Sequence, residues 1–203
     1  MKDLVVLVAD KDMKFAITGI LNRPGALGIR IIEFEVIPEP NHDPGVYKEC
    51  HNFLRTFQNK FRFGIVMFDK SGCGKESYST DSIIEEVQKN LDDSGWRDRS
   101  KVIVIEPELE AWVWSDSPEV GRCLGWDSQE LKNWLVSENY IMPGEIKPEN
   151  PKDVFEKALA TKKIPKSSSI FLNLARSVGF GRCNDKSFLR LKETLQKWFP
   201  EES

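Results

Sequence analysis

Four short apolar runs mark the first half of the chain, at 4–9, 29–37, 63–68 and 102–105. Between them, at 11–22, 46–61 and 80–93, apolar residues recur every three to four positions, the period of a helix with one buried face. Strands alternating with helices predict a parallel sheet covered on both faces, an α/β fold. The runs LVVLVA, FGIVMF and VIVI carry no charge, as strands buried on both faces require, whereas Arg30, Glu33 and Glu35 interrupt the run at 29–37. The second strand is therefore expected at an edge of a four-stranded sheet, in the order 2-1-3-4.

Past residue 106 the strand signal stops. Helical patterns continue at 109–114, 128–138, 151–159, 167–178 and 186–199, with Asp127 or Ser128, Ser167 to Ser169, and Asp185 placed as N-caps. The polar, proline-containing stretch 144–150 reads as a connector. The chain thus divides into an α/β domain over 1–125 and an all-helical C-terminal extension over 126–203 packed on it. Tryptophans at 96, 112, 114, 126, 134 and 198 are expected as anchors between helices and sheet.

Composition narrows the class. A chain of 203 residues, 40% hydrophobic and 30% charged, buries one substantial core. Its longest uninterrupted apolar run, 4–9, is far short of the roughly 20 residues of a membrane span, so no membrane partner and a cytoplasmic location are expected. Cys50, Cys73, Cys123 and Cys183 are scattered singly beside only two histidines, which points to reduced thiols and away from structural zinc. Residues 145–203 hold 12 Lys and Arg against 8 Asp and Glu, on an otherwise acidic body, a distribution that permits nucleic-acid contact without requiring it.

Candidate chemistry follows from chain direction. In an open parallel sheet, ligands gather outside the carboxyl ends of the strands, where the strand order reverses. For this order the reversal lies between the first and third strands, which end at Asp10, with Asp12 close behind, and at Asp69; the fourth ends at Glu106, followed by Glu108 and Glu110. Neighbouring strands lie about 4.8 Å apart, so Asp10, Asp69 and Glu106, with Asp12 and Glu110 as further ligands, are placed to share one hard cation, Mg²⁺ or Mn²⁺. The same residues also suit plain structural duties: Asp10 as a helix cap, Asp69 in an Asx-turn, Glu106 and Glu110 as acids in a first helical turn. Both readings stand at this point.

The stretch FDKSGCGKES, 68–77, has the look of a nucleotide-binding loop. The P-loop spacing fails, because Asp69 stands where the first glycine belongs and Glu76 where a hydroxyl must follow the lysine. It reads instead as the turn after the third strand, in which Gly72 and Gly74 supply backbone N–H groups for an anion nest and Lys75 a phosphate contact. In PNHDPG, Asp43-Pro44-Gly45 is a turn signal, with His42 a weaker general-base candidate. No Gly-x-Ser-x-Gly elbow is present, so nucleophilic catalysis lacks support.

This order of elements, with an acid ending the first strand, an Asp and Gly turn after the third and a Glu after the fourth, resembles a TOPRIM-type domain, the metal-binding module of topoisomerases, primases and overcoming-lysogenization-defect nucleases. IEPELEAWVWSD, KPENPKDVFEKAL, IPKSSSIFLNLA and CNDKSFLRLKETL extend the likeness over nearly the whole chain, to small TOPRIM-related bacterial proteins of antiphage defence islands, in particular the accessory component of methylation-associated defence systems. The resemblance implies a TOPRIM-like sheet, Mg²⁺-dependent phosphodiester chemistry on nucleic acid and other defence proteins as partners. The chain departs from the TOPRIM pattern in carrying Asp10 or Asp12 where Glu is usual and Asp69-Lys70-Ser71 where an Asp-x-Asp pair is usual. Two functions therefore compete: a nuclease-like enzyme using Asp10, Asp69 and Glu106, and a noncatalytic binding subunit built on a degenerate scaffold. A nucleotide sensor built on the 72–75 turn is a third.

Overall fold

In the computed structural model, which describes residues 1–201, β1 (Lys2–Val8), β2 (Phe34–Pro38), β3 (Phe61–Asp69) and β4 (Ser100–Ile105) form one all-parallel sheet in the order β2-β1-β3-β4. The charge pattern along the runs thus places the strands as observed. β1 pairs with β2 from Leu4 opposite Phe34 to Val8 opposite Pro38, and with β3 from Lys2 opposite Phe61 to Val8 opposite Met67. Its residues from Leu4 to Val8 are buried, as a central strand covered on both faces demands.

The edge strand is shorter than its apolar run. Gly28, at φ 71°, closes the short helix α2 (Pro24–Leu27), and Ile29 then forms an isolated antiparallel bridge with Pro200 instead of joining β1. Ile31 is left 82% exposed, so the run at 29–37 merges two segments with different partners.

α1 (Lys11–Leu21) connects β1 to β2 on one face; α3 (His42–Arg55) and α4 (Thr80–Leu91) make the later crossovers in the opposite direction along the sheet and pack together on the other face. α3 begins at His42 rather than 46 and stops at Arg55 rather than 61. Asp43-Pro44-Gly45 is its first turn and not a loop, because a proline there removes an N–H that has no helical partner anyway. A π-type turn, Asp92–Trp96, follows α4 and buries Trp96, whose indole N–H donates to the Leu54 carbonyl at 3.1 Å. The ring lies so close to Gly64 of β3 that a Cβ there would meet it at 3.1 Å, which explains a glycine in the middle of a buried strand.

Beyond β4 come a 3-10 turn (Leu109–Trp112), α5 (Pro118–Cys123), α6 (Ser128–Ser137), α7 (Pro151–Thr161), α8 (Ser168–Ser177), a second 3-10 turn (Phe180–Arg182) and α9 (Lys186–Trp198). Asp127 caps α6 through the amides of Gln129 and Glu130, and Asp185 caps α9 through that of Ser187; Ser167 holds the cap position of α8 without a side-chain capping bond. α8 lies along α1, where a Cβ on Gly19 would strike Ala175 at 2.6 Å, and α9 packs on β4. Trp198 stacks on Phe63 of β3 with ring centres 4.5 Å apart. These helices complete the layer that α1 begins, and the buried apolar residues form one contiguous core from β1 to Phe199. Trp114 and Trp126 anchor α7 to its neighbours through indole bonds to the Pro151 and Ala158 carbonyls. Among the described residues no helix is long and apolar enough to cross a membrane.

Candidate functional site

A carboxylate stands at or just beyond the carboxyl end of every strand: Asp10 after β1, Glu39 after β2, Asp69 at the end of β3 and Glu106 after β4. The first turn of α3 starts at the same edge and adds Asp43. Asp43 Oδ1 accepts the backbone N–H of Asp69 at 2.7 Å. Asp10 Oδ1 accepts the N–H of Met13 at 2.8 Å and so caps α1. Glu39 accepts both the backbone and side-chain N–H of Asn41, folding its carboxylate over the start of α3. Glu110, on the 3-10 turn after β4, is 4% exposed and accepts from Lys166 Nζ at 3.2 Å.

Asp69 is the focus of the field. Its Oδ1 is fully buried and has no hydrogen-bond partner. Burial above all, and then the charge of Asp43, push its carboxyl well above the usual range; the Leu109 amide pulls the other way, and Glu110 and Asp10 add further repulsion. Asp43 is raised too, by burial first, against the stabilising amide of Asp69 and with Asp10 adding to the strain. Burial likewise raises Glu110, with the Lys166 charge as the main counterweight. Asp69 therefore lies within the electrostatic influence of Asp43, Glu110 and Asp10.

Glu106 belongs to different company. Its Oε1 accepts from Lys70 Nζ at 2.8 Å and its Oε2 from Thr80 Oγ1 at 2.5 Å, and these bonds, that of Lys70 first, hold its carboxyl below the usual range. It faces a groove of about 710 Å³ in which Lys147, Lys186 and Arg190 stand among the carboxylates of Asp81, Asp116, Glu145 and Asp185. Asp10 and Asp12 line a separate hollow of about 480 Å³ with Glu39 and His42. Asp12 also accepts from Ser168 Oγ at 2.6 Å, at the start of α8. Asp10 and Glu39 thus open to one hollow and Glu106 to another, while Asp69 is buried and lines neither. Among the described residues, no three His, Cys, Asp or Glu side chains gather closely enough to hold a metal ion between them.

In the turn after β3, backbone amides converge on a cradle whose occupant is internal. The N–H groups of Gly72 and Gly74 both donate to Glu76 Oε1, at 2.9 Å and 3.1 Å. Lys75 extends over the rings of Tyr78 and Tyr47, 4.8 Å and 5.8 Å from their centres.

No protein-family model, curated protein or solved structure matches the chain. Chain direction alone brings Asp10 and Asp69 to one edge. Asp43, Lys166 and Glu76 are the participants that sequence reasoning passes over. Asp43 was detectable in principle, because the first turn of any helix that follows a parallel strand lies at the carboxyl edge of the sheet. Lys166 arrives from a distant segment, 56 residues from its partner Glu110, and no local pattern announces it.

Proposed function

We propose that the carboxyl edge of the sheet, centred on Asp69, binds a divalent cation, Mg²⁺ or Mn²⁺, and that the protein carries out metal-dependent phosphodiester chemistry on nucleic acid. The observation that carries this reading is the buried Asp69 Oδ1, left without a donor and crowded by Asp43, Asp10 and Glu110. An orphaned buried carboxylate oxygen is unfavourable in the protein by itself, and a cation would relieve it. Hard oxygen donors suit Mg²⁺, which is commonly held by one or two carboxylates with water and substrate phosphate, so Asp69 and Asp43 with Asp10 at the margin meet the need. Such an ion, when bound, polarises a phosphate and acidifies a coordinated water.

The chain's own residues prepare the seat. The Asp69 amide fixes the direction of the Asp43 carboxylate, and Lys166 donates to Glu110 and offsets part of the cost of its burial. Lys186, in the neighbouring groove, would contact a nucleic-acid backbone, joined by Arg190 on release of its ion pair with Asp81. The resemblance to TOPRIM domains and to defence-island proteins supplies the choice of substrate and a setting in antiviral defence with partner proteins. Calorimetric titration of Mg²⁺ and Mn²⁺ into the wild type and Asp69→Ala, with a nicking assay on plasmid and single-stranded nucleic acid, tests the proposal. Metal binding lost with Asp69, together with metal-dependent cleavage, is the expected result; no binding at millimolar metal would overturn it.

One observation favours a second reading, a noncatalytic binding subunit. Lys70 engages Glu106, which withdraws an expected ligand and brings a lysine charge to the strand ends. Nucleic-acid binding by the wild type without cleavage in either metal would select that reading.

A further inference from the structure

The turn after β3 aims several backbone N–H groups at one point. Gly72 and Gly74 both adopt left-handed conformations, φ 86° and 83°, the geometry in which successive amides line a concavity for an anionic oxygen. Glu76 Oε1 fills it, held by the amides of Gly72 and Gly74. A Cβ on either glycine would meet nothing within 4 Å, so the turn is not packed against other elements on those sides. Two further features stand beside it: Lys75, and the ring of Tyr78, which is 53% exposed. The cradle also follows the carboxylate seat directly in the chain: β3 ends at Asp69, and the Cys73 N–H donates to the Lys70 carbonyl in the turn that comes next.

An exposed aromatic ring, a lysine and a set of converging amides are the elements with which proteins hold a single strand without regard to sequence: amides and cation for phosphate, ring for base. We propose that Glu76 stands in for a phosphate, and that the cradle of Gly72 and Gly74 is a phosphodiester-binding site for single-stranded nucleic acid. The incoming phosphate displaces the Glu76 carboxylate, pairs with Lys75, and lays the adjoining base on Tyr78. This deepens the reading of the neighbouring seat by giving its substrate a second anchor, yet it needs no metal, so the two can fail separately.

The test is fluorescence anisotropy with a labelled single-stranded oligothymidylate in EDTA at low salt. Glu76→Ala, which empties the cradle, should bind several-fold more tightly than the wild type. Glu76→Gln leaves a weaker, neutral occupant and should gain less. Adding Gly74→Ala, which disfavours the left-handed backbone, should abolish the gain. Glu85→Ala removes the same charge from the exposed surface of α4 and should change nothing. Tyr78→Ala should weaken binding about tenfold, the scale of one lost base stack. If Glu76→Ala proves unfolded by circular dichroism, Glu76→Gln decides by the same direction of change. Equal affinity of wild type and the folded Glu76 variants would overturn the proposal, as would a matching gain in Glu85→Ala; an unaffected Tyr78→Ala would overturn the assignment to nucleic acid.

Discussion

The Asp43 carboxylate receives the backbone N–H of Asp69 at 2.7 Å across 26 residues of sequence. This bond ties the first turn of α3 to the end of the central strand β3, beside the point where the strand order reverses. It gives a residue that looks like part of a turn a fixed place at the centre of the acidic edge. Asp43→Asn keeps an oxygen to accept the same N–H, so the variant should fold and melt close to the wild type. Calorimetry should show its Mg²⁺ affinity reduced by at least about tenfold, the scale set by disturbing the support of a metal site. Unchanged affinity would remove Asp43 from the seat.

Asp69→Asn should stabilise the metal-free protein. The folded carboxyl titrates above its unfolded value, so the native state binds more protons across the interval between the two, and stability falls as pH rises through it. Removing the charge should raise the unfolding free energy near neutral pH by about 0.5–2 kcal/mol, as relief of a strained functional site commonly does. The advantage should shrink as pH falls toward about 4, where the unfolded carboxyl also protonates. Thermal melts across pH measure this, and Mg²⁺ should raise the melting temperature of the wild type but not of the variant.

Lys166→Met leaves Glu110 buried without its cation. The loss should be roughly 1–3 kcal/mol, less than for a fully buried pair because the lysine is partly exposed and also meets Glu156. With Lys166 gone, the Glu110 carboxyl rises further above its usual range. The deficit relative to wild type should therefore be larger at alkaline pH and shrink on acidification, a trend that urea titrations at several pH values can follow.

Glu106→Gln separates the two hollows. Its ion pair with Lys70 lies at the surface, with the glutamate side chain 55% exposed, so the stability change should be within about 1 kcal/mol. Metal affinity at Asp69 should be unaltered. A loss of metal binding in this variant would return Glu106 to the metal site and revise the division between the hollows.

Gly64→Ala tests the packing that supports the edge from below. The added methyl meets the buried Trp96 ring, and the resulting strain should cost about 1–3 kcal/mol in chemical denaturation. Tryptophan fluorescence should report the displaced ring.

Much of this architecture is written in local pattern. Uncharged runs at 4–9, 63–68 and 102–105 belong in the middle of a two-sided core, and the charged run at 29–37 does not, so the strand order could be read directly. Parallel strands then bring Asp10 and Asp69 to one edge without further information. Local pattern read Asp43-Pro44-Gly45 as a turn ahead of the helix, because the same residues serve a free turn and the first turn of a helix. It also joined Ile29 to a strand, because the bridge to Pro200 depends on the far end of the chain.

What the sequence determined by itself is which residues must leave water and in which direction the strands run, since both follow from spacing along the chain. What only the tertiary structure decided is which charges meet: Asp43 with Asp69, Glu110 with Lys166, and Glu106 with Lys70. Burial is a property of a residue and its near neighbours, whereas a carboxylate's partner is set by whichever remote segment packs beside it.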